Sequence, residues 1–401
     1  MAQALQGIRV LELGDFLPTA FCCMQLADFG AEVIRVQAPP RAARGRRAEQ
    51  AASVPPETRS PFQADAAFDT TGRNRRSVVL DLKDPRGRDA GRRLAAGCDV
   101  LVEGFRPGVM DRLGLGWDAL HALAPRLVYC SVSLFGQTGP YRDWPGHDPL
   151  GLGVAGLLAL NADTADDAPR LLGSPFGDVG AALHATIGIL LALRARDATG
   201  AGQRVDIGMT DASLDFAVLA SVQALQGTTV PRLNRPNPVS GVWRCADGLW
   251  LCTTNLEPHH WANFCRAIGE PDLVPLRFDR GRREELHRRV RDLLATKPRD
   301  AWLEVFHGEH ESQAAPVHRI EEVFDDPQVR ARDMVIDTLD AAGRPGRQLG
   351  FSVKLDTTPA RLRNVAPDPG ADTRDVLAGL GYADDEIDAM VEAGVAGVPA
   401  R

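Results

Sequence analysis

The sequence predicts an α/β fold, a Rossmann-like large domain on a parallel sheet joined to a smaller α+β domain. Three observations predict it. Strand-like runs alternate with helix-length amphipathic runs from residue 8 to about 140, the pattern of repeated βαβ units. A proline-rich stretch, "VPRLNRPNPVSG" (230–241), interrupts the series and reads as a boundary. Just past it, "VWRCADGLWLCTT" reads as a local hairpin about a D-G turn, which belongs to antiparallel structure.

The elements follow in order. "IRVLEL" (8–13) is a strand, "PTAFCCMQLADFG" (18–30) a helix closed by Gly30, and "AEVIRVQAP" a second strand ended by proline, which together make a βαβ opening. Residues 40–68, rich in Pro, Arg and Ser, have no clean period and read as a long surface loop. "RRSVVLDL" is a strand and "DPRGRDAGRRLAAG" a helix capped by Asp84 with Pro85 in its first turn. "CDVLVEGF" and "RLVYCSVSLFG" are strands. Beyond Asp178, "GAALHATIGILLALRARDATG" is a long helix ending at Gly200, followed by "GQRVDIGM" and the helix "TDASLDFAVLASVQALQG". Helices rich in Arg and Glu, such as "GRREELHRRVRDLL", run to about 325 with solvated faces. The remainder alternates strand-like pieces with the helix "ADTRDVLAGLG" and is expected to pack back on the first domain. The division is 1–225, 226–328 and 329–401, the last completing the large domain.

Composition narrows the function classes. The 401 residues are 44% hydrophobic and 25% charged, with a net charge of −7; this is globular composition, and its acidity argues against nucleic acid as a partner. No apolar run of membrane-spanning length stands out, and "MAQALQGIRVLEL" lacks the basic region and cleavage site of a signal peptide, so the expectation is a cytoplasmic protein with no membrane partner. Seven cysteines form no CxxC pair, which predicts reduced thiols and no metal site. The glycine cradles of dinucleotide and P-loop proteins are missing, as are HExxH and GxSxG.

Two groups of residues carry chemistry. In "DWPGHDPLGLG" (143–153), His147 and Asp148 follow Gly146 where a polar loop turns into an apolar run. The plain reading is an aspartate capping a helix start and a histidine covering a loop. Elsewhere Arg73, Arg75, Arg76, Lys83, Arg106 and Arg112 stand at joins between strands and helices, where cations could hold a phosphorylated ligand.

Motifs along nearly the whole chain carry a resemblance. "GIRVLELGDFLPTAFCCMQLADFGAEVIRVQAP", "NRRSVVLDLKDPRGR", "DVLVEGFRPGVMDRLGLG", "RLVYCSVSLFGQTGPYRDWPGHD" and "GDVGAALHATIGILLALRARDATGAGQRVDIGM" resemble the family III CoA-transferases and the α-methylacyl-CoA racemases. The likeness continues through "NLEPHHWANFCRAIG", "AAPVHRIEEVFDDPQVRARDM" and "GYADDEIDAM". It implies a homodimer of two interlocked rings, with an acyl-CoA thioester as substrate and no permanently bound cofactor. It also implies that Arg76, Leu80 and Lys83 lie near the nucleotide, and that Gly104, Arg106 and Arg112 lie against phosphates or pantetheine. One departure is Ala38, where racemases carry an arginine; Arg41 or the basic run around it is the expected substitute.

The resemblance also assigns the reaction. Asp178 aligns with the carboxylate used by both branches, a nucleophile in transferases and an acid or base in racemases. The "GHD" pattern points to the racemase branch, because inverting an α-carbon needs two acid/base groups on opposite faces of an enolate. His147 and Asp178 would be that pair, Glu257 in "NLEPHHW" would orient or charge His147 from the other subunit, and Gly146 and Asp148 would support the loop. Amides at a helix start near Asp178 or Asp148 would stabilise the enolate. Leu150, Leu152 and Phe176 would form an apolar wall. Two alternatives remain. One is an acyl-CoA:carboxylate CoA-transferase using Asp178 as nucleophile; the other is a CoA-thioester-binding homologue with a different enolate reaction or none.

Overall fold

A computed structural model describes residues 2–14, 16–39, 65–162, 167–230, 237–279, 281–308 and 311–399. Two compact units emerge: 1–160 with 170–229 and 333–401, and 161–169 with 230–332.

The first unit is built on a seven-stranded sheet of order β12-β3-β2-β1-β4-β5-β6. Its strands are β1 (Arg9–Leu13), β2 (Glu32–Gln37), β3 (Arg75–Leu80), β4 (Val100–Glu103), β5 (Val128–Ser133), β6 (Arg204–Gly208) and β12 (Ala396–Gly397). All pairings are parallel except that of β12 with β3. Both faces of the central strands are covered, which is why they are nearly all apolar. One face packs Leu11, Ile34, Val78 and Leu101 under α2 (Pro85–Ala96) and the returning C-terminal residues Leu377, Ile387 and Met390. The other packs Val10, Val33, Val100 and Cys130 under α1 (Leu17–Asp28) and α4 (Phe176–Thr199). The order runs β1-β2-β3 to one side and β4-β5-β6 to the other, so the chain reverses between β1 and β4, the place where open sheets of this kind take ligands outside the carboxyl ends of their strands.

Helix boundaries follow local chemistry. Asp84 caps α2 by accepting from the amide of Arg86, with Pro85 at the first helical position. Gly30 (φ +108°) turns the chain after α1, and Gly200 (φ +78°) ends α4 in the left-handed region that glycine enters without steric cost. The return segment is tied to β3 by Asp372, whose carboxylate accepts from the amide of Ser77 at 2.8 Å.

One expectation is corrected. α4 spans 24 residues and contains an 18-residue window of mean hydropathy 1.7, long and apolar enough by composition alone to cross a membrane. Its Gly and Ala content serves the packing described above: Ala181, Ala182, Ala185 and Ile189 are fully buried among residues of α1 and the sheet, whereas Leu183, Leu190 and Leu191 are exposed.

The second unit holds the three-stranded antiparallel sheet β7 (Ser240–Arg244), β8 (Trp250–Thr254) and β9 (Ala314–Val317). Gly248 (φ +82°) makes the expected D-G turn. Its core is aromatic, with Trp243, Trp261, Phe264 and Phe306 buried together. All seven cysteines are free, and all but Cys252 are buried.

Candidate active site

Asp148 is the organising residue of the site. It opens the short helix α3 (Asp148–Val154), where the preceding residue, His147, is in extended conformation and makes no side-chain capping bond. The Asp148 carboxylate does not cap its own helix. It is buried, and it accepts from the amides of Gly177 (2.6 Å) and Asp178 (3.0 Å) in the first turn of α4. Pro175 occupies the capping position of α4 and has no side-chain acceptor, so two orphan amides are satisfied by a carboxylate from the preceding loop. The plain reading of Asp148 as a helix cap is right in kind, but the helix is the one that bears Asp178.

Glycine makes this contact possible. A β-carbon at Gly177 would lie 2.8 Å from Oδ1 of Asp148 and 3.1 Å from Oγ of Ser213. Ser213 is itself fixed by donating to the carbonyl of Met209 at 2.6 Å in α5 (Met209–Asp215). Gly146 is equally constrained, since a β-carbon there would meet Leu150 and Leu134 at 2.4 and 2.6 Å.

Asp178 is half-buried, and its Oδ1 has no hydrogen-bond partner among the described residues. Burial pushes its carboxyl up from 3.8 to about 7, assisted by the negative charge of Asp148. His147 is exposed, one residue from the carboxylate that holds Asp178. The expected amide donors need a correction: those of Gly177 and Asp178 are taken by Asp148, while the amide of Asp148 itself makes no bond among the described residues. Leu150 and Phe176 are exposed beside these residues, and Phe216 meets Phe176 edge-on at 6.3 Å. Leu152 is 1% exposed and faces the core, so it leaves the proposed apolar wall.

Glu257 lies in the second unit, at the capping position of α7 (Pro258–Ala267), where it is exposed and makes no side-chain capping bond. Its carboxylate is therefore not spent on its own helix.

The cations divide by burial. Arg73 pairs with Asp28 at 2.7 Å and Arg75 with Glu12 at 2.7 Å, all four side chains buried, so both arginines are internal struts. Arg76 bridges Glu32 and Asp372 on the surface. Leu80 is 1% exposed in the core, and its side chain offers a ligand nothing. Lys83, Arg106 and Arg112 are exposed and have no carboxylate partner among the described residues. Lys83 follows β3 and Arg106 follows β4, at the carboxyl edge of the sheet. Gly104 sits at the β1/β4 reversal, where a β-carbon would press on Phe16 at 2.9 Å. Ala38 is exposed; Arg41 lies outside the described residues. No cluster of three metal-ligating side chains occurs among the described residues.

Comparison with known proteins places this arrangement. Residues 5–373 match the model of CoA-transferase family III. The chain is 33% identical to the alpha-methylacyl-CoA racemase of Homo sapiens, over 96% of this chain and 95% of that protein. It is 31% identical to the succinyl-CoA–D-citramalate CoA-transferase of Chloroflexus aurantiacus, over 97% of each. Among solved structures, a CAIB/BAIF family protein from Brucella suis superposes with a TM-score of 0.79 at 26% identity, covering 95% of this chain and all of that one. With the family matched over nearly its whole length, the chain belongs to CoA-transferase family III.

Proposed function

We propose that the chain epimerises the α-carbon of a 2-substituted acyl-CoA thioester. The observation that supports this most is the state of Asp178: a half-buried carboxyl, titrating at about 7, fixed by its backbone to the residue beside an exposed histidine. A group poised between its acid and base forms at neutral pH suits proton transfer in both directions. His147 and Asp178 take opposite faces of the α-carbon. One removes the proton to give a planar enolate, the other returns a proton from the far side. The Asp148 amide donates to the enolate oxygen, and exposed Leu150 and Phe176 receive the acyl chain. CoA enters as part of the substrate, with Lys83, Arg106 and Arg112 meeting its phosphates.

Glu257 acts in this scheme from the other subunit of a homodimer. Support for a dimer comes from exposed apolar side chains on α4, just after α5 and on α6 (Val218–Leu225): Ile187, Leu191, Phe216, Leu219, Val222 and Leu225 are between 46% and 88% exposed, more apolar surface than an isolated chain ordinarily leaves in water.

A second reading draws on the unpartnered Oδ1 of Asp178. As a carboxylate it could attack the thioester carbonyl and expel CoA thiolate, leaving an aspartyl mixed anhydride. The thiolate would then attack the aspartyl carbonyl and release the first acid, and a second acid would take the CoA. Incubating a 2-methylacyl-CoA in deuterated water, first alone and then with carboxylic acids, separates the two by proton NMR. Deuterium at the α-carbon without an added acid is the expected result; CoA transfer to an acid with no α-exchange would replace epimerisation by transfer.

A further inference from the structure

An apolar cavity of about 340 Å³ lies inside the first unit, between α1, the middle of α4 and residues 349–355 of the return segment. Its walls include Leu5, Phe21, Met24, Leu190, Phe351 and Val353. It is not the site of Asp178. Leu190 stands twelve residues further along α4, about 18 Å away at the rise of an α-helix.

The polar side chains that its two helices and residues 70–73 contribute are few, and nearly all are engaged. Arg73 donates from Nε and Nη2 to the two carboxylate oxygens of Asp28, at 3.0 and 2.7 Å, and from Nη1 to the carbonyl of Leu349. Asp28 accepts in addition from Nδ2 of Asn74 at 2.7 Å. Thr70 accepts from the amide of Leu349 at 3.2 Å, and Thr186 donates to Oε1 of Gln25 at 2.9 Å. The Nε2 group of Gln25 makes no bond among the described residues. Charge decides what can enter. Arg73 and Asp28 neutralise each other, so an ionised ligand would leave water for apolar walls with no counter-charge to meet it, and the desolvation cost would go uncompensated.

We propose that this cavity is a second binding site, for a small neutral molecule with an alkyl or aryl body of about ten non-hydrogen atoms and one carbonyl oxygen. The size follows from the volume, taking the roughly 30 Å³ that a water molecule occupies in the liquid as the share of each heavy atom. The oxygen follows from Gln25, whose Nε2 donates to it. An apolar lining with one placed polar group is how small-molecule pockets of this size combine affinity with orientation. The site is separate from the reaction at Asp178 and stands whichever chemistry that residue performs.

Ligand-observed NMR titration with three probes of similar size tests this: 2-nonanone, which has the oxygen, n-butylbenzene, which lacks it, and octanoate at pH 8, which carries a charge. The wild-type protein is expected to bind the first two and not the third. Leu190→Trp, which places an indole in the space, should abolish binding of both. Gln25→Leu should weaken 2-nonanone about fivefold and leave n-butylbenzene unchanged, and it tests the site on its own if Leu190→Trp does not fold. Octanoate bound as tightly as 2-nonanone, 2-nonanone affinity unchanged in both variants, or no binding by the wild-type protein would each overturn the site. Binding that appears only when Leu219→Glu and Leu225→Glu are introduced together would overturn it too, and would assign the cavity to apolar side chains of a second copy.

Discussion

Asp178 holds its proton more tightly in the folded chain than in the unfolded one, because burial and the charge of Asp148 both oppose ionisation. With a folded value of about 7 against an ordinary 3.8, its contribution to stability is full below pH 4 and is lost as pH rises through 7. Asp178→Asn is therefore expected to be more stable than wild type at pH 8, by about 1 kcal/mol after discounting for partial exposure, with the gain vanishing toward pH 4. Urea denaturation at the two pH values measures it; a pH-independent difference contradicts the assigned environment. Gly177→Ala should act in the opposite sense. Its methyl group would displace Asp148 from two amides, at a cost of about 2 kcal/mol, and removal of that charge should lower the Asp178 limb of the pH–rate profile. An unshifted limb with full activity would show that Asp148 does not set it. Of these residues, the sequence singled out His147, Asp148 and Asp178 through "GHD" and the family motif. The role of Gly177 was not legible, since it depends on a contact between residues some thirty positions apart; its only trace is a glycine just before the aspartate.

Elements were legible where a local signal stops or starts them. Gly30, Asp84 with Pro85, Gly200 and the D-G turn each mark a boundary by backbone chemistry that needs no tertiary context. The expected parallel sheet forms on strands that are apolar throughout. Other features carried no such signal. β12 is two residues long and exists because it pairs antiparallel with the edge of β3. β9 contains a proline and joins β8 from about sixty residues away, and edge pairing of that kind is set by tertiary contact. The basic residues show the same divide: Arg73 and Arg75 look like Arg106 and Arg112 in sequence, yet two are buried struts and two are exposed after β4 with no carboxylate partner among the described residues. At this scale, Arg73→Met should destabilise the fold by about 3 kcal/mol by stranding buried Asp28, while CoA affinity per folded molecule stays unchanged. A binding defect in the folded fraction would place Arg73 in the ligand site.

For the whole molecule, the proposed homodimer would cover the apolar faces of α4 and α6 and bring Glu257 to the neighbouring subunit's site. Leu219→Glu with Leu225→Glu should give a monomer by sedimentation, with activity lost; a fully active monomer would contradict the shared site. Co-expression of a chain carrying His147→Ala with one carrying Glu257→Ala gives a sharper result. If each site takes His147 from one subunit and Glu257 from the other, the mixed dimer regains one intact site, whereas residues from a single subunit restore nothing.

The central claim is that His147 and Asp178 serve opposite faces of one α-carbon. The measurement that tests it most directly is deuterium exchange of separate (2R)- and (2S)-2-methylacyl-CoA thioesters by His147→Ala and by Asp178→Ala in deuterated water. Each variant is predicted to exchange one epimer with retention and leave the other untouched, the two variants choosing opposite epimers, with neither interconverting them. Epimerisation that survives in either variant, or the same epimer exchanged by both, would contradict the two-base assignment.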